Sequence, residues 1–288
     1  MKIFKMLIFS LIVINTLSCS ISKNQTKGEV IPENFYYKTE FETMKSVMIL
    51  PFEINGITKN FLFDTGADYS LIQRDSILGE SGNFAGASKR EMSLGNEILN
   101  SMKIGNVEFK NTVALNGDVI GLKEQIPNFG GIIGQPIISK ANWLIDYPKK
   151  SLIISNKNLA DKSFEAIKIM RKGGAPYTYI SIDGIKYKVV IDFGSSSEFN
   201  LPIESKLAKK LLEKYEFTDN ERDRYTLGGL QKIKEKVGIV SQIKLGNIEF
   251  HNVNTTLNIS SQPRIGIGFF KEYQIYIDNI DNSYKIKK

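Results

Sequence analysis

The sequence predicts an all-β protein made from one unit used twice, and three observations carry that prediction. The apolar residues lean towards Ile, Val, Phe and Tyr, and Asn and Gly are frequent, which is the composition of strands joined by tight turns. Two passages share one pattern. Pro51-Phe-Glu-Ile-Asn-Gly-Ile-Thr-Lys-Asn-Phe-Leu-Phe-Asp-Thr-Gly-Ala67 matches Tyr179-Ile-Ser-Ile-Asp-Gly-Ile-Lys-Tyr-Lys-Val-Val-Ile-Asp-Phe-Gly-Ser195. Gly56 and Gly184, Ile57 and Ile185, Asp64 and Asp192, and Gly66 and Gly194 each lie 128 residues apart. Further landmarks then recur in the same order in both halves, at a period far longer than that of a solenoid.

The chain begins with a targeting segment. Lys2 and Lys5 form a basic start, Met6 to Ile14 an apolar core too short to span a membrane, and Asn15 to Ser18 a polar end. Cys19 follows and is the only cysteine, so the mature body has no disulfide. Leu17-Ser18-Cys19 resembles a bacterial lipoprotein processing site, with Thr16 standing where leucine is usual. Residues 1–18 are therefore expected to be a signal peptide. Cys19 is expected to carry a lipid that anchors the protein in the cell envelope, outside the cytoplasm. The alternative is an ordinary secretory signal with an incidental cysteine. Residues 19–40 form the lipidated N-terminus and a flexible tether, since Ser20 to Asn34 is polar.

Length and composition fit a globular body with room for two modest units, here 41–158 and 159–288. The chain has 288 residues, of which 42% are hydrophobic and 24% charged. The net charge is +7, and loss of residues 1–18 removes Lys2, Lys5 and no acid, leaving +5. These charges are scattered rather than clustered, which argues against a nucleic-acid partner and leaves a weak attraction to anionic membrane surfaces.

Within each unit the order is the same. Asn55-Gly56 and Asp183-Gly184 are hairpin turns between strands. The second strand of each hairpin is apolar and runs into an Asp-x-Gly turn. Met102-Lys-Ile-Gly-Asn-Val-Glu-Phe-Lys-Asn111 matches Ile243-Lys-Leu-Gly-Asn-Ile-Glu-Phe-His-Asn252, now 141 residues apart, so the second copy carries an insertion. Ile203, Leu207, Leu211 and Tyr215 recur every four residues there and predict a short helix. A Gly-rich apolar turn follows, Gly130 to Gln135 and Ile265 to Gly268. Each half closes with an Asp-bearing apolar strand, Trp143 to Asp146 and Ile275 to Asp278, and then a further strand, Ser151 to Ser155 and Tyr284 to Ile286.

Asp64-Thr65-Gly66-Ala67 with Ile132-Ile133-Gly134, and a second set of both, resembles the retropepsin-like aspartic peptidases. The fused layout resembles pepsin-like and bacterial double-lobe relatives, over roughly residues 41–288. The resemblance implies two pseudo-symmetric acid-protease-like β-barrel lobes with an active-site cleft between them. It implies an aspartic endopeptidase in which Asp64 and Asp192 share one proton and activate a water, without any cofactor or metal. The ionised partner takes a proton from the water, and the protonated one donates to the carbonyl oxygen and later to the leaving nitrogen. Thr65, Gly66, Ala67, Gly194 and Ser195 would support the two turns. The substrate would be an extended peptide or protein bound as a strand. A monomer is expected, because the chain holds its own partner; the other possibility is two chains pairing their Asp64 turns. His251 is the only histidine, so triads and His-rich zinc sites lack material.

Two Gly-rich segments are candidate flaps over the cleft, Phe84 to Ser88 with Gly86, and Tyr225 to Leu230 with Gly228 and Gly229; the plainer reading is surface turns. The second motif departs from the family pattern, because Phe193 stands where a hydroxyl residue would bond across to the other turn. Its loss predicts a less rigidly held pair, and Phe193→Thr would raise activity if the hydroxyl is limiting. A catalytically weak or inactive peptide-binding envelope protein is the competing reading. Gln135 replaces the Arg that pairs with the Asp68 position in retroviral relatives, so Asp68 is expected to be solvated, and His251 exposed. Asp146 and Asp278 are expected to be structural carboxylates that end strands, and Trp143 a core residue.

Overall fold

The computed structural model describes residues 26–85, 91–171, 174–226 and 229–288. Cys19, Gly86 and Gly228 lie outside them. The chain is mostly β. The first half contains β1 (Glu29–Ile31), β2 (Tyr36–Glu40), β3 (Glu42–Met44), β4 (Val47–Ile54), β5 (Ile57–Phe63), β6 (Ser70–Gln73), β7 (Ser81–Ala85), β8 (Glu91–Ile104) and β9 (Val107–Gly117). It continues with α1 (Ile120–Lys123), β10 (Phe129–Ile133), α2 (Gln135–Ile138), β11 (Asn142–Asp146) and β12 (Ser151–Ser155). The second half contains β13 (Glu165–Lys168), β14 (Tyr177–Ile182), β15 (Ile185–Asp192), β16 (Phe199–Pro202), α3 (Lys206–Lys214), β17 (Phe217–Thr226) and β18 (Gly229–Leu245). After it come β19 (Ile248–Asn258), β20 (Arg264–Gly266), a 3₁₀ turn (Ile267–Phe270), β21 (Gln274–Asp278) and β22 (Ser283–Lys287). No helix among the described residues is long and apolar enough to cross a membrane.

The duplicated hairpins form as the sequence predicts. Asn55 and Gly56 have φ of 53° and 77°, and Asp183 and Gly184 have 52° and 77°. Two consecutive positive φ values give the turn whose twist matches the flanking strands, and Asn-Gly and Asp-Gly adopt it with least strain. The insertion is a helix: the Ser205 hydroxyl accepts the Ala208 N–H at 3.1 Å, and α3 buries Leu207, Ala208 and Leu211.

Strand pairing repeats across the halves. In the first, β4, β5, β10, β6, β9 and β8 pair in that order, and β8 pairs back with β4. In the second, β14, β15, β20, β16, β19 and β18 do the same, and β18 pairs back with β14. A third, six-stranded sheet runs β13-β22-β21-β11-β12-β2. Its centre is the antiparallel pair β11–β21, with Trp143 opposite Ile277 and Ile145 opposite Ile275, so equivalent strands of the two halves meet there.

One expectation needs correcting. Residues 29–40 are not tether: β1 pairs with β9, β2 pairs with β12 along its whole length, and Phe35 and Phe41 are buried. The strands read as polar in sequence because both add to sheet margins, where one face and one edge stay wet. Ile138 O accepts the Trp143 indole N–H at 2.8 Å, and the ring stacks on Phe109 at 6.2 Å. One continuous core joins Trp143 and Phe63 of the first half to Phe193, Phe199 and Ile277 of the second.

Trp143 is fully buried at the junction of these sheets. Trp143→Ala is expected to lower the unfolding free energy by about 3–5 kcal/mol, measured by urea denaturation. A loss under about 1 kcal/mol would contradict the shared core.

Candidate active site

The two Asp-x-Gly turns are built on the same scaffold. β10 runs parallel to β5, with Ile133 opposite Phe63, and the Asp64 N–H bonds Ile133 O at 2.9 Å. β20 runs parallel to β15, with Ile265 opposite Ile191 and Gly266 opposite Asp192. The strand after each Asp turn therefore returns beside it and fixes it. On the first side, Gln135 N–H bonds Ala67 O at 3.0 Å and the Gln135 amide donates to Thr65 O at 2.7 Å. On the second, Ile267 N–H bonds Ser195 O at 2.9 Å.

These turns meet face to face. Asp64 Oδ1 accepts N–H groups from both, Gly66 at 2.7 Å and Gly194 at 3.2 Å. A side chain at Gly66 would run into Asp192, its Cβ 2.8 Å from the Asp192 carboxyl carbon; one at Gly194 would collide with the Asp64 carboxyl. Each carboxylate thus lies over the opposite turn's glycine, and the two glycines are required by that approach. Thr65 is fully buried. Its hydroxyl donates to Ile191 O at 2.8 Å and accepts the Phe193 N–H at 3.0 Å. Ala67 packs at the edge of the first half's smaller core. The Ser195 hydroxyl shares a hydrogen bond with the Ser197 hydroxyl at 2.8 Å.

The return bond from the second turn is absent, as the sequence implies. Phe193 instead points into the core, fully buried, with its ring 5.7 Å from Phe270 and 6.2 Å from Tyr284. Asp192 gains a partner that sequence reasoning missed. Arg264 Nη1 lies 2.6 Å from Asp192 Oδ2, and each side chain is only 10% exposed. Arg264 occupies on β20 the place that Ile132 holds on β10, by the parallel registers with β15 and β5. A charged residue immediately before an apolar Gly-rich turn was the available signal.

Asp64 holds its proton well above the usual carboxylate range. Burial is the main cause and the Asp192 charge the second; the Gly66 N–H and the Arg264 charge pull the other way.

The other candidates take structural positions. Asp278 is fully buried and accepts the Ile280 and Asp281 N–H groups and the Lys285 ammonium. Asp146 caps the Lys149 N–H. Asp68 is exposed yet not simply solvated, because its Oδ1 accepts the Ala175 N–H at 2.8 Å. His251 is exposed.

The described residues of both candidate flap segments lie on paired strands, β7 with β8 and β17 with β18. In β7–β8, the Phe84 ring packs edge-on to Tyr69 at 6.3 Å. In β17–β18, Thr226 pairs with Gly229. Tyr225 of that second-half hairpin packs against the first half's smaller core, and Lys45 Nζ lies 4.9 Å from its ring. The β17–β18 hairpin therefore crosses from one half to the other.

The chain matches no protein-family model and no curated protein sequence.

Two outcomes follow from this geometry. Because Asp64 binds its proton more tightly folded than unfolded, its contribution favours folding at low pH and is lost as pH rises from about 3.8 through the raised folded value. Asp64→Asn is expected to gain stability over the natural chain progressively above that point, seen in melting temperatures between acid and neutral pH; a pH-independent difference would contradict it. Phe193→Thr would restore a hydroxyl but empty a packed site, so denaturation should show a loss of about 3 kcal/mol.

Proposed function

We propose that this chain is an aspartic endopeptidase whose reacting pair is Asp64 and Asp192. The reading takes the two closed pairing paths as pseudo-symmetric acid-protease-like β-barrel lobes, with a substrate cleft between them. One observation carries it: equivalent Asp-x-Gly turns, 128 residues apart in sequence, meet so closely that Gly194 N–H bonds Asp64 and Asp192 lies over Gly66.

The chemistry follows from where the proton sits. Asp64 is the acid, because burial and its neighbour's charge keep it protonated. Asp192 is the base: Arg264 holds its Oδ2, while its Oδ1 lies against Gly66 on the side of the other turn. A water between the two gives a proton to Asp192 and attacks the peptide carbonyl carbon, and Asp64 gives its proton to the carbonyl oxygen. Collapse of the tetrahedral diol returns a proton to Asp64, and the leaving nitrogen takes the one on Asp192. Both residues end as they began. The substrate is an extended peptide, and the enzyme acts as a monomer held in the cell envelope through Cys19.

A second reading, peptide binding without cleavage, is favoured by the Arg264 ion pair on Asp192 and by Phe193 in place of a bonding hydroxyl.

A mixed peptide library incubated with the natural chain and read by mass spectrometry separates them. New termini are expected, and Asp64→Asn and Asp192→Asn should each reduce their rate of appearance by at least about 100-fold. Cleavage that persists in Asp64→Asn would overturn the peptidase reading, and retention of bound peptides without cleavage would favour the second.

A further inference from the structure

We propose that Arg224 and Arg264 form a carboxylate-recognising subsite beside Asp192, so that the site selects peptides bearing an acidic group close to the bond presented to the aspartates. This rests on the functional reading above and names its substrate class.

The placement comes from the β17–β18 hairpin. Side chains alternate along a strand, so Asn220, Arg222 and Arg224 share one face of β17. The first two are accounted for: Asn220 and Arg222 both donate to Glu235 Oε1, at 3.0 and 2.6 Å. Asn258 of β19 donates to the other Glu235 oxygen at 3.3 Å. Asn258 pairs in register with Pro202 of β16, and two residues earlier on β16 Asn200 stands opposite Arg264. That face of the hairpin therefore looks onto the ladder that carries Arg264 and, through it, Asp192. Tyr225, the next residue after Arg224, is tied to the first half.

Arg224 differs from its neighbours in having no carboxylate of its own. Among the described residues Arg222 pairs with Glu235 and Arg264 with Asp192, while the Arg224 guanidinium makes neither an ion pair nor a hydrogen bond. It is partly buried, and its charge is felt at Arg264, Arg222, Asp192 and Glu235. Burial and the two arginines disfavour its charged form; Asp192 and Glu235 favour it. Arg264 also has spare capacity, since its Nε is buried without a partner.

A charge count then specifies the ligand. Asp192 balances Arg264, Glu235 balances Arg222, and burial with the Asp192 charge favours the neutral form of Asp64. One positive charge is left over, that of Arg224. A partly buried cation without a counter-ion is costly, and a planar guanidinium matches a carboxylate through two parallel N–H donors. The missing group is one carboxylate, supplied by an Asp or Glu side chain or by the peptide's own C-terminus.

Full-length Asp64→Asn, which holds peptides uncut, tests this by fluorescence anisotropy. Labelled peptides would differ only in Asp or Glu against Asn or Gln, swept along the sequence, each with a free or an amidated C-terminus. An acidic side chain is expected to tighten binding by about 10- to 100-fold, and Arg224→Gln on that background to remove the preference. A preference that follows the free C-terminus alone would assign the terminal carboxylate as ligand. Arg224→Lys should keep part of the preference if charge matters and the rest depends on the fork. Equal binding of acidic and amide peptides, or a preference untouched by both Arg224 substitutions in variants that melt like the parent, would overturn the subsite. Failure of the peptidase reading shows separately, as a natural chain that leaves every library peptide intact.

Discussion

Two carboxylates buried side by side repel each other and lose their hydration, and most of the local structure answers that constraint. One answer is protonation, which burial and the neighbouring Asp192 charge favour at Asp64. Another is hydrogen bonding, with Gly66 and Gly194 both donating to Asp64 Oδ1. A third is the counter-charge of Arg264 on Asp192. The close approach itself requires glycine at positions 66 and 194, since any side chain there would occupy a carboxylate's place.

The duplication builds a symmetric frame and then departs from symmetry at the pair. Matching strands form matching closed paths, and β11 and β21 join the halves at the centre of the shared sheet. At the site, Thr65 reaches across to Ile191 and Phe193, but Phe193 turns inward against Phe270 and Tyr284. The second turn thus exchanges a polar tie for core packing. Its aspartate is pinned instead by Arg264, where the first half has Ile132. The two chemically identical groups thus sit in unlike environments, and the proposed division into an acid at Asp64 and a base at Asp192 rests on that difference.

Much of this was legible in the sequence for local reasons. Asn-Gly and Asp-Gly fix their own turns through φ, the four-residue spacing of Leu207 and Leu211 reports one helix face, and Asp64 and Asp192 stand out because a second copy exposes them. What escaped depends on residues distant in sequence. Arg264 stands just ahead of the Gly-rich turn Ile265 to Gly268, and only the parallel pairing of β20 with β15 brings it to Asp192, 72 residues earlier. Residues 29–40 looked like tether because strands at sheet margins are half polar. That Tyr225 crosses to the other half depends on the whole length of the β17–β18 hairpin, which no local pattern states.

The central claim is that Asp64 and Asp192 act as one acid–base pair on a peptide. A crystal structure with a statine-type peptide analogue tests it most directly, since such a molecule places a hydroxyl where the attacking water would stand. The account predicts that hydroxyl within hydrogen-bond distance of both carboxyl groups, with Arg264 still on Asp192 Oδ2. An analogue bound elsewhere on the chain, or seated with its hydroxyl touching neither aspartate, would contradict it.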